Sequence, residues 1–295
     1  MIIPYDVLIG NYTTEVEFTW DKNEVLVNGV CSVTYQDTIY VFGGTAYSYT
    51  LNQVNIVDGC ELKRFDTLPF NAGFPSCGVF SKGFEKEIVL ICFGDNGKDK
   101  NSTNCYSYDG DQSVLIDGSS QYTHIMSCPT LGNYNGMAFV TGGTESDYHS
   151  FNSKTELMYQ TSSGVAWSKQ EDYPHRVAGH AMVSLVDFGS VLVFGGHYNR
   201  PYGDEVNEYK PGNGRKDWNQ IGSLITARAT HSAIRSELHN NEIIIVGGTD
   251  RDDFDRPLYT EVWDISKKRS SQFNPKLDFY MTPVLASVHP GYCYK

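Results

Sequence analysis

Val191-Leu192-Val193-Phe194-Gly195-Gly196 is an apolar strand cut short by two glycines, and the chain repeats it. Phe42-Gly43-Gly44, Thr141-Gly142-Gly143 and Val246-Gly247-Gly248 close runs of the same kind, and Phe93-Gly94-Asp95 is a weaker copy. The first glycines lie 51, 48, 53 and 52 residues apart. A regular period of about 50 marks an array of supersecondary units, none able to bury its apolar face alone. From Gly247 through the C-terminus and back from Met1 to Gly43 is about 91 residues, room for two further intervals. Six repeats therefore fit the 295 residues if the two ends share one.

The content of one repeat defines the unit. His180–Leu185 and Val191–Phe194 are short β-rich runs ahead of the glycines. A polar stretch then leads to Val206-Asn207-Glu208-Tyr209, with Trp218 nine residues on. The next copy places Val262-Trp263 and Phe273 in the same order, and the previous one Met158-Tyr159 and Trp167. That is four strands per unit with no helical period anywhere. The glycines end the second strand, where a crowded backbone needs φ values and a closeness of approach that a side chain forbids.

An apolar strand, Gly-Gly, then a Tyr and a Trp at a near-constant offset resembles the kelch repeat, most closely over residues 130–275 and also over 31–117. The resemblance implies an all-β, six-bladed β-propeller with four antiparallel strands per blade, one domain over residues 1–295. Asp95 stands where a second glycine is expected, and the first two blades have no Trp at the outer position. Val16–Trp20 and Glu24–Val27 read as outer strands, and Pro283–His289 as an inner strand. Their pairing in one blade would close the ring and leave no open radial edge.

Composition narrows the function classes. A net charge of −12 with scattered Lys and Arg argues against nucleic acid or an acidic membrane as partner. No apolar run approaches a membrane-spanning length, and no signal peptide is read at Met1–Asp6, so a cytoplasmic location is favoured over a secreted one. Of seven cysteines none forms a CxxC pair or has zinc-ligand spacing, and small buried thiols are the expectation. The alternative is a disulfide, with Cys77–Cys92 or a bond from Cys293 as candidates. Asn11 and Asn101 begin glycosylation sequons.

His180 and His231 are 51 residues apart, the repeat distance, so they read as features of the fold beside the central channel, a shared metal being the other reading. Cys31 and Cys77 are placed at the same inner-strand position. No cofactor, metal or catalytic set is expected. Kelch propellers present one face built from the loops after the second strands and the loops leading into the inner strands. On that face the candidate partner-binding residues are Tyr47, Tyr148, Tyr173, Arg176, His197, Tyr198, Arg200, Tyr202, Arg228 and Arg251. Tyr and Arg carry interface energy because they bury large areas and offer hydrogen bonds. A scaffold that binds a protein or acidic peptide is the leading reading, with the guanidinium groups of Arg176 and Arg228 converging beside the channel near Arg200. The competing reading of those two arginines pairs them with Asp172, Asp204 or Asp217. Two alternatives stand beside the scaffold: a small kelch-type enzyme, mutarotase-like or metal-dependent, using Arg176, Arg228, His180 and His231, and an extracellular or filament-associated structural propeller.

Overall fold

The computed structural model describes residues 29–46, 49–58, 61–80, 87–95, 103–125, 132–134, 137–144, 150–161, 164–197, 202–210, 217–236, 239–250 and 259–276. These form five four-stranded sheets and one small hairpin. The first sheet holds β1 (Cys31–Tyr35), β2 (Thr38–Phe42), β5 (Gln53–Asp58) and β6 (Glu61–Thr67), and the hairpin β3 (Thr45–Ala46) with β4 (Tyr49–Thr50) rises between its middle strands. The second holds β7 (Ser76–Phe80), β8 (Ile88–Cys92), β9 (Cys105–Tyr108) and β10 (Ser113–Leu115). The third holds β11 (Gly132–Tyr134), β12 (Met137–Thr141), β13 (Thr155–Thr161) and β14 (Gly164–Lys169). The fourth holds β15 (Ala181–Leu185), β16 (Ser190–His197), β17 (Tyr202–Tyr209) and β18 (Trp218–Ser223). The fifth holds β19 (Ser232–Arg235), β20 (Glu242–Val246), β21 (Tyr259–Asp264) and β22 (Arg269–Lys276).

All pairings are antiparallel and follow chain order, so each sheet is a meander. First strands of successive sheets lie side by side, β1 by β7, β7 by β11, β11 by β15 and β15 by β19. These are the blades of a β-propeller, the architecture expected from the repeats. The expected closing blade falls on residues 1–28 and 277–295, outside the described residues.

The core lies between blades rather than within them. Phe42, Val54 and Tyr35 of the first blade pack on Cys77, Ile91 and Tyr108 of the second. Phe139 and Leu157 of the third meet Met182, Val193 and Trp218 of the fourth, and Phe194 of the fourth meets Ile245 and Trp263 of the fifth. Large flat rings fill the wedge where neighbouring sheets diverge. Trp218 lies 5.9 Å from Phe139, and Trp263 lies 6.0 Å from Phe194. The second blade has no Trp, and Tyr108 does the same work at 5.4 Å from Phe42.

The double glycines owe their place to the next blade. In three blades the second glycine donates its backbone N–H to the segment leading into the following blade: Gly44 to the Ala72 carbonyl at 2.8 Å, Gly143 to Val177 at 2.7 Å and Gly196 to Arg228 at 2.9 Å. The first glycine of each pair has φ of +63, +62 and +53°, and a Cβ there would stand 2.1 Å from the Ala72 oxygen, 2.5 Å from Val177 and 2.6 Å from Arg228. Both the left-handed backbone and the carbonyl exclude a side chain. Gly142→Ala is therefore expected to cost about 2–4 kcal/mol, the left-handed penalty plus the collision. Gly179→Ala, at φ +62° but with no atom nearer than 3.3 Å, is expected to cost only about 1–2 kcal/mol. Equal losses in urea unfolding of the two variants would show that the carbonyl is not what excludes the side chain.

One expectation shifts by a residue. In the second blade Phe93, not Gly94, takes the first-glycine position. Phe93 has φ +61° and its N–H bonds the Asn104 carbonyl at 3.0 Å, as Gly43 bonds Gln53 and Gly142 bonds Lys154, each at 2.9 Å. Gly94 is thus the second glycine, and Asp95 takes the place of Thr144, His197 and Thr249, each bridged to its incoming segment. Cys31 and Cys77 also leave the position given to them. Strand registers put Cys31 one residue beyond the His180 and His231 position, level with Ala181 and Ser232, and Cys77 one further, level with Met182.

Candidate partner face and the buried polar layer beneath it

The two loop sets meet on one face, as expected. Short bridges tie each incoming segment to the residue after its own blade's glycines: Gly73 to Asp95, Ile125 to Thr144, Ala178 to His197 and Ala229 to Thr249. Successive incoming segments also join one another near the axis. The Phe74 N–H donates to the Gly29 carbonyl at 2.9 Å, and the Thr230 N–H to Gly179 at 2.6 Å. All four of these residues have positive φ, from +52 to +63°. A left-handed residue at this point turns the chain from the face down into the inner strand.

Below the face lies a layer of buried polar side chains at one third-strand position. Glu156, Asn207 and Glu261 oppose Val140, Val193 and Ile245, each two residues before a glycine pair. Glu261 accepts hydrogen bonds from the backbone of Ile225 (2.7 Å) and Thr226 (3.0 Å), from Ser270 Oγ (2.6 Å) and from Arg228 Nη2 (2.6 Å). Arg228 Nη1 also donates to the Gly247 carbonyl at 3.0 Å, and Nη2 to the Tyr259 carbonyl at 3.0 Å. Two blades back, Glu156 takes the same place. His124 Nε2 lies 3.1 Å from it, Ser120 donates to it, and His124 Nδ1 donates to the Gly142 carbonyl at 2.7 Å. Burial alone would raise the Glu156 carboxyl, but the bonds from His124 and Ser120 outweigh it and hold the group below the ordinary glutamate range. In the blade between, Asn207 Nδ2 donates to the Tyr173 hydroxyl at 2.8 Å. In these three blades the third strand thus pins the segment that leads into the blade.

His180 and His231 sit at equivalent inner positions and are both sealed from solvent. Their rings lie against the first glycine of the preceding blade, Cε1 being 3.2 Å from the place of a Cβ on Gly142 and on Gly195 respectively. Burial drives the His180 imidazole down to about 3, with His124 adding to the shift. His231 is likewise well below the ordinary histidine range through burial, then Arg228, then His180. Both rings are neutral packing groups at physiological pH. Among the described residues no group of three or more His, Cys, Asp or Glu gathers as metal ligands.

Two of the expected face residues are therefore corrected. Arg228 is fully buried and paired within its own blade to Glu261, neither converging with Arg176 nor reaching Asp172, Asp204 or Asp217. The cause is the one-residue offset between the two segments: Ala178 and Ala229 are equivalent, so Arg228 matches Val177 and points inward, whereas Arg176 matches Ala227 and is exposed. Tyr173 is 2% exposed and serves the Asn207 bond and the Trp218 ring, 4.7 Å away. Tyr47, Tyr148, Tyr198, Arg200 and Arg251 lie outside the described residues.

Three face residues keep surface around the junction of the third and fourth blades. His197 is half-buried between Phe151, at 4.8 Å, and Tyr202, at 4.9 Å, both edge-on. Arg176 is exposed, and its charge acts on Lys154. Lys154 Nζ lies 2.7 Å from Asp172 and 5.6 Å from the centre of the Tyr122 ring. His175 Nε2 is 3.2 Å from Glu205. Lys154 and Glu205 were not among the expected residues, nor were Glu156 and Glu261. The dipeptide Thr-Glu stands at both, Thr155-Glu156 and Thr260-Glu261, two repeats apart, but also at Thr14-Glu15 and Thr144-Glu145, so it does not single them out.

No family model matches the chain, and no curated protein matches it. Solved structures do. One, titled "Structure of YjhT", superposes with a TM-score of 0.65 at 15% identity, covering 84% of this chain and 84% of that one. At that identity the likeness is one of fold, and it places this chain among the β-propellers.

Proposed function

We propose that this chain is a six-bladed, kelch-type propeller acting as a protein-interaction scaffold, and that its partner docks on the loop face at the junction of the third and fourth blades. The kelch reading rests on the double-glycine period and the aromatic wedge, the sixth blade on the residues left at the two ends.

One observation carries the scaffold reading: the division between sealed and accessible groups. His124, Glu156, His180, Arg228, His231 and Glu261, the groups an acid–base mechanism would recruit, are each at most 1% exposed and so beyond the reach of a substrate on the face. Charged and aromatic groups on the face itself, Tyr122, Lys154, His175, Arg176, His197 and Tyr202, keep surface to offer. The mixture of Tyr, Arg and His suits a protein interface more than a closed reaction pocket.

An acidic peptide segment is the partner class this patch favours. Arg176 has a planar fork that matches a carboxylate, and Lys154 adds a second cation, balanced in part by Asp172. Arg176→Glu is expected to abolish recovery of a specific partner in co-precipitation while leaving the melting temperature within about 2 °C, since an exposed substitution costs little. Affinity for the wild-type chain is expected to fall several-fold as ionic strength rises from about 0.05 to 0.5 M. Undiminished capture by the variant would remove this patch from the interface. Turnover of a sugar-acid substrate by the purified protein would favour the enzyme reading instead.

A further inference from the structure

We infer that two disulfides, Cys31–Cys77 and Cys92–Cys105, brace the second blade and are made before the packing around them closes, so that this chain matures in an oxidising compartment.

The two pairs converge on one blade. Cys31 on β1 and Cys77 on β7 join the inner strands of the first and second blades, with a Cα separation of 5.9 Å, inside the span a disulfide bridges. Cys92 and Cys105 face each other across β8 and β9. That cross-strand pair occupies a column the other blades fill with ordinary contacts: Phe42 with Val54, Phe194 with Val206, and Thr141 with Thr155, whose hydroxyls are 2.8 Å apart. The covalent link replaces a hydrogen bond at the same address. The four cysteines among the described residues are all used, two by two, and none joins a larger cluster of metal-ligating groups there.

The second blade is also the one with most to compensate. It carries a phenylalanine at a left-handed φ of +61° where its neighbours carry glycine. Its outer strand is three residues long and shows Val114 and Leu115 to solvent at 52 and 54% exposure. It lacks the tryptophan wedge. A crosslink stabilises chiefly by restricting the unfolded chain, more for the longer loop, here the 46-residue span of Cys31–Cys77 against 13 for Cys92–Cys105.

Burial sets the order of events. All four cysteines are 0% exposed, and thiol–disulfide exchange needs an attacking thiolate in line with an accessible sulfur. Oxidation must therefore come before the core seals, Cys92–Cys105 within the second blade and Cys31–Cys77 as the inner strands of the first two blades come side by side. Each bond takes two thiols, releases two protons and passes two electrons to an oxidant, here the disulfide of oxidised glutathione or of an oxidoreductase, which becomes two thiols. Such bonds persist in oxidising compartments and are rare where thiols are kept reduced.

The test uses the full chain produced through a secretory host. Denaturation with iodoacetamide present, without reductant, followed by proteolysis and mass analysis, is expected to return the Cys31 peptide linked to that of Cys77, and Cys92 to Cys105, with no alkylation at the four. The native protein in dithiothreitol is expected to keep both links for at least ten times longer than the same protein in denaturing urea. Reduction in urea, then refolding in dithiothreitol, is expected to lower the melting temperature by roughly 10 °C relative to refolding in a glutathione redox buffer. Alkylated Cys31, Cys77, Cys92 and Cys105, a different pairing, or native reduction as fast as in urea would overturn the inference. The double variant Cys92→Thr with Cys105→Thr restores the pair seen at Thr141 and Thr155 and separates loss of the bond from loss of the fold: a folded variant with a smaller response to reductant is expected, and an unchanged response overturns the role of that bond.

Discussion

Arg228→Met is expected to cost about 3–5 kcal/mol of folding free energy, because it leaves the Glu261 carboxylate buried without its cation. Four donors converge on Glu261, and the guanidinium also donates to the Thr226, Gly247 and Tyr259 carbonyls, so removing it leaves four acceptors short at once. Arg228→Glu is expected to be worse still, placing two like charges in one sealed space. Equilibrium unfolding in urea measures both. The double variant Arg228→Met with Glu261→Gln should recover part of the loss, since neutralising the carboxylate removes what the single change strands. A single variant within about 1 kcal/mol of the parent would mean that the pair contributes little. Because the side chain has no exposure, any change in partner capture by these variants should track the loss of folded protein.

Mild acid is the second large expected effect. His180 and His231 have folded pKa values far below 6.5, their unfolded value, the first falling to about 3. Above 6.5 both states hold neutral rings and neither gains. Below it the unfolded chain takes up protons that the folded chain refuses, so stability falls as pH drops from 6.5 toward the folded pKa. His180 contributes about 1.4 kcal/mol per pH unit in that window, so at pH 4.5 it costs on the order of 3 kcal/mol, and His231 adds to the loss in the same direction. Urea midpoints at pH 7, 6, 5 and 4.5 should trace this slope. His180→Asn with His231→Asn should be less stable at pH 7 yet flatter in its pH dependence between 6.5 and 4.5. A slope equal to the parent's would assign acid sensitivity elsewhere. Glu156 works in the same direction lower down, since its depressed carboxyl helps the fold above the unfolded value and loses that help as it protonates.

The glycine period was readable because its cause is local and steric: a φ that only glycine adopts freely, beside a carbonyl that allows no Cβ. The same logic explains the one-residue slip in the second blade. Phe93 adopts a glycine-like φ while packing its ring 5.0 Å from His124 and 5.7 Å from Trp167, and a pattern search that equates left-handed turns with glycine passes over it. Arg228 was misplaced for a different reason. Its orientation depends on a partner 33 residues later and on whether it precedes the inward alanine by one position or by two. Sequence shows the alanine but not the bridge that identifies it. Cysteine pairing was illegible for a similar reason, since Cys31 and Cys77 meet only because two inner strands lie side by side around an axis. The stems of the two loop sets do meet, bridged in four blades. Which of the face's Tyr and Arg side chains stay out of the core is decided by neighbours that no spacing reveals, as Tyr173 and Arg176 show, three residues apart with opposite fates.

The bond from the second glycine, made at Gly44, Gly143 and Gly196, runs forward, from the end of one sheet's second strand to the carbonyl of the segment that opens the next sheet. The piece of chain that carries this bond whole is therefore not a sheet. It extends from a glycine pair into the opening of the next sheet, Gly44 to Ala72, Gly143 to Val177 and Gly196 to Arg228, and straddles two sheets. A duplication or deletion cut at sheet boundaries would preserve every strand ladder and still mismatch the seam. One cut at the glycines would carry the seam intact but part each second strand from its third, so no single breakpoint leaves both kinds of contact inside one piece.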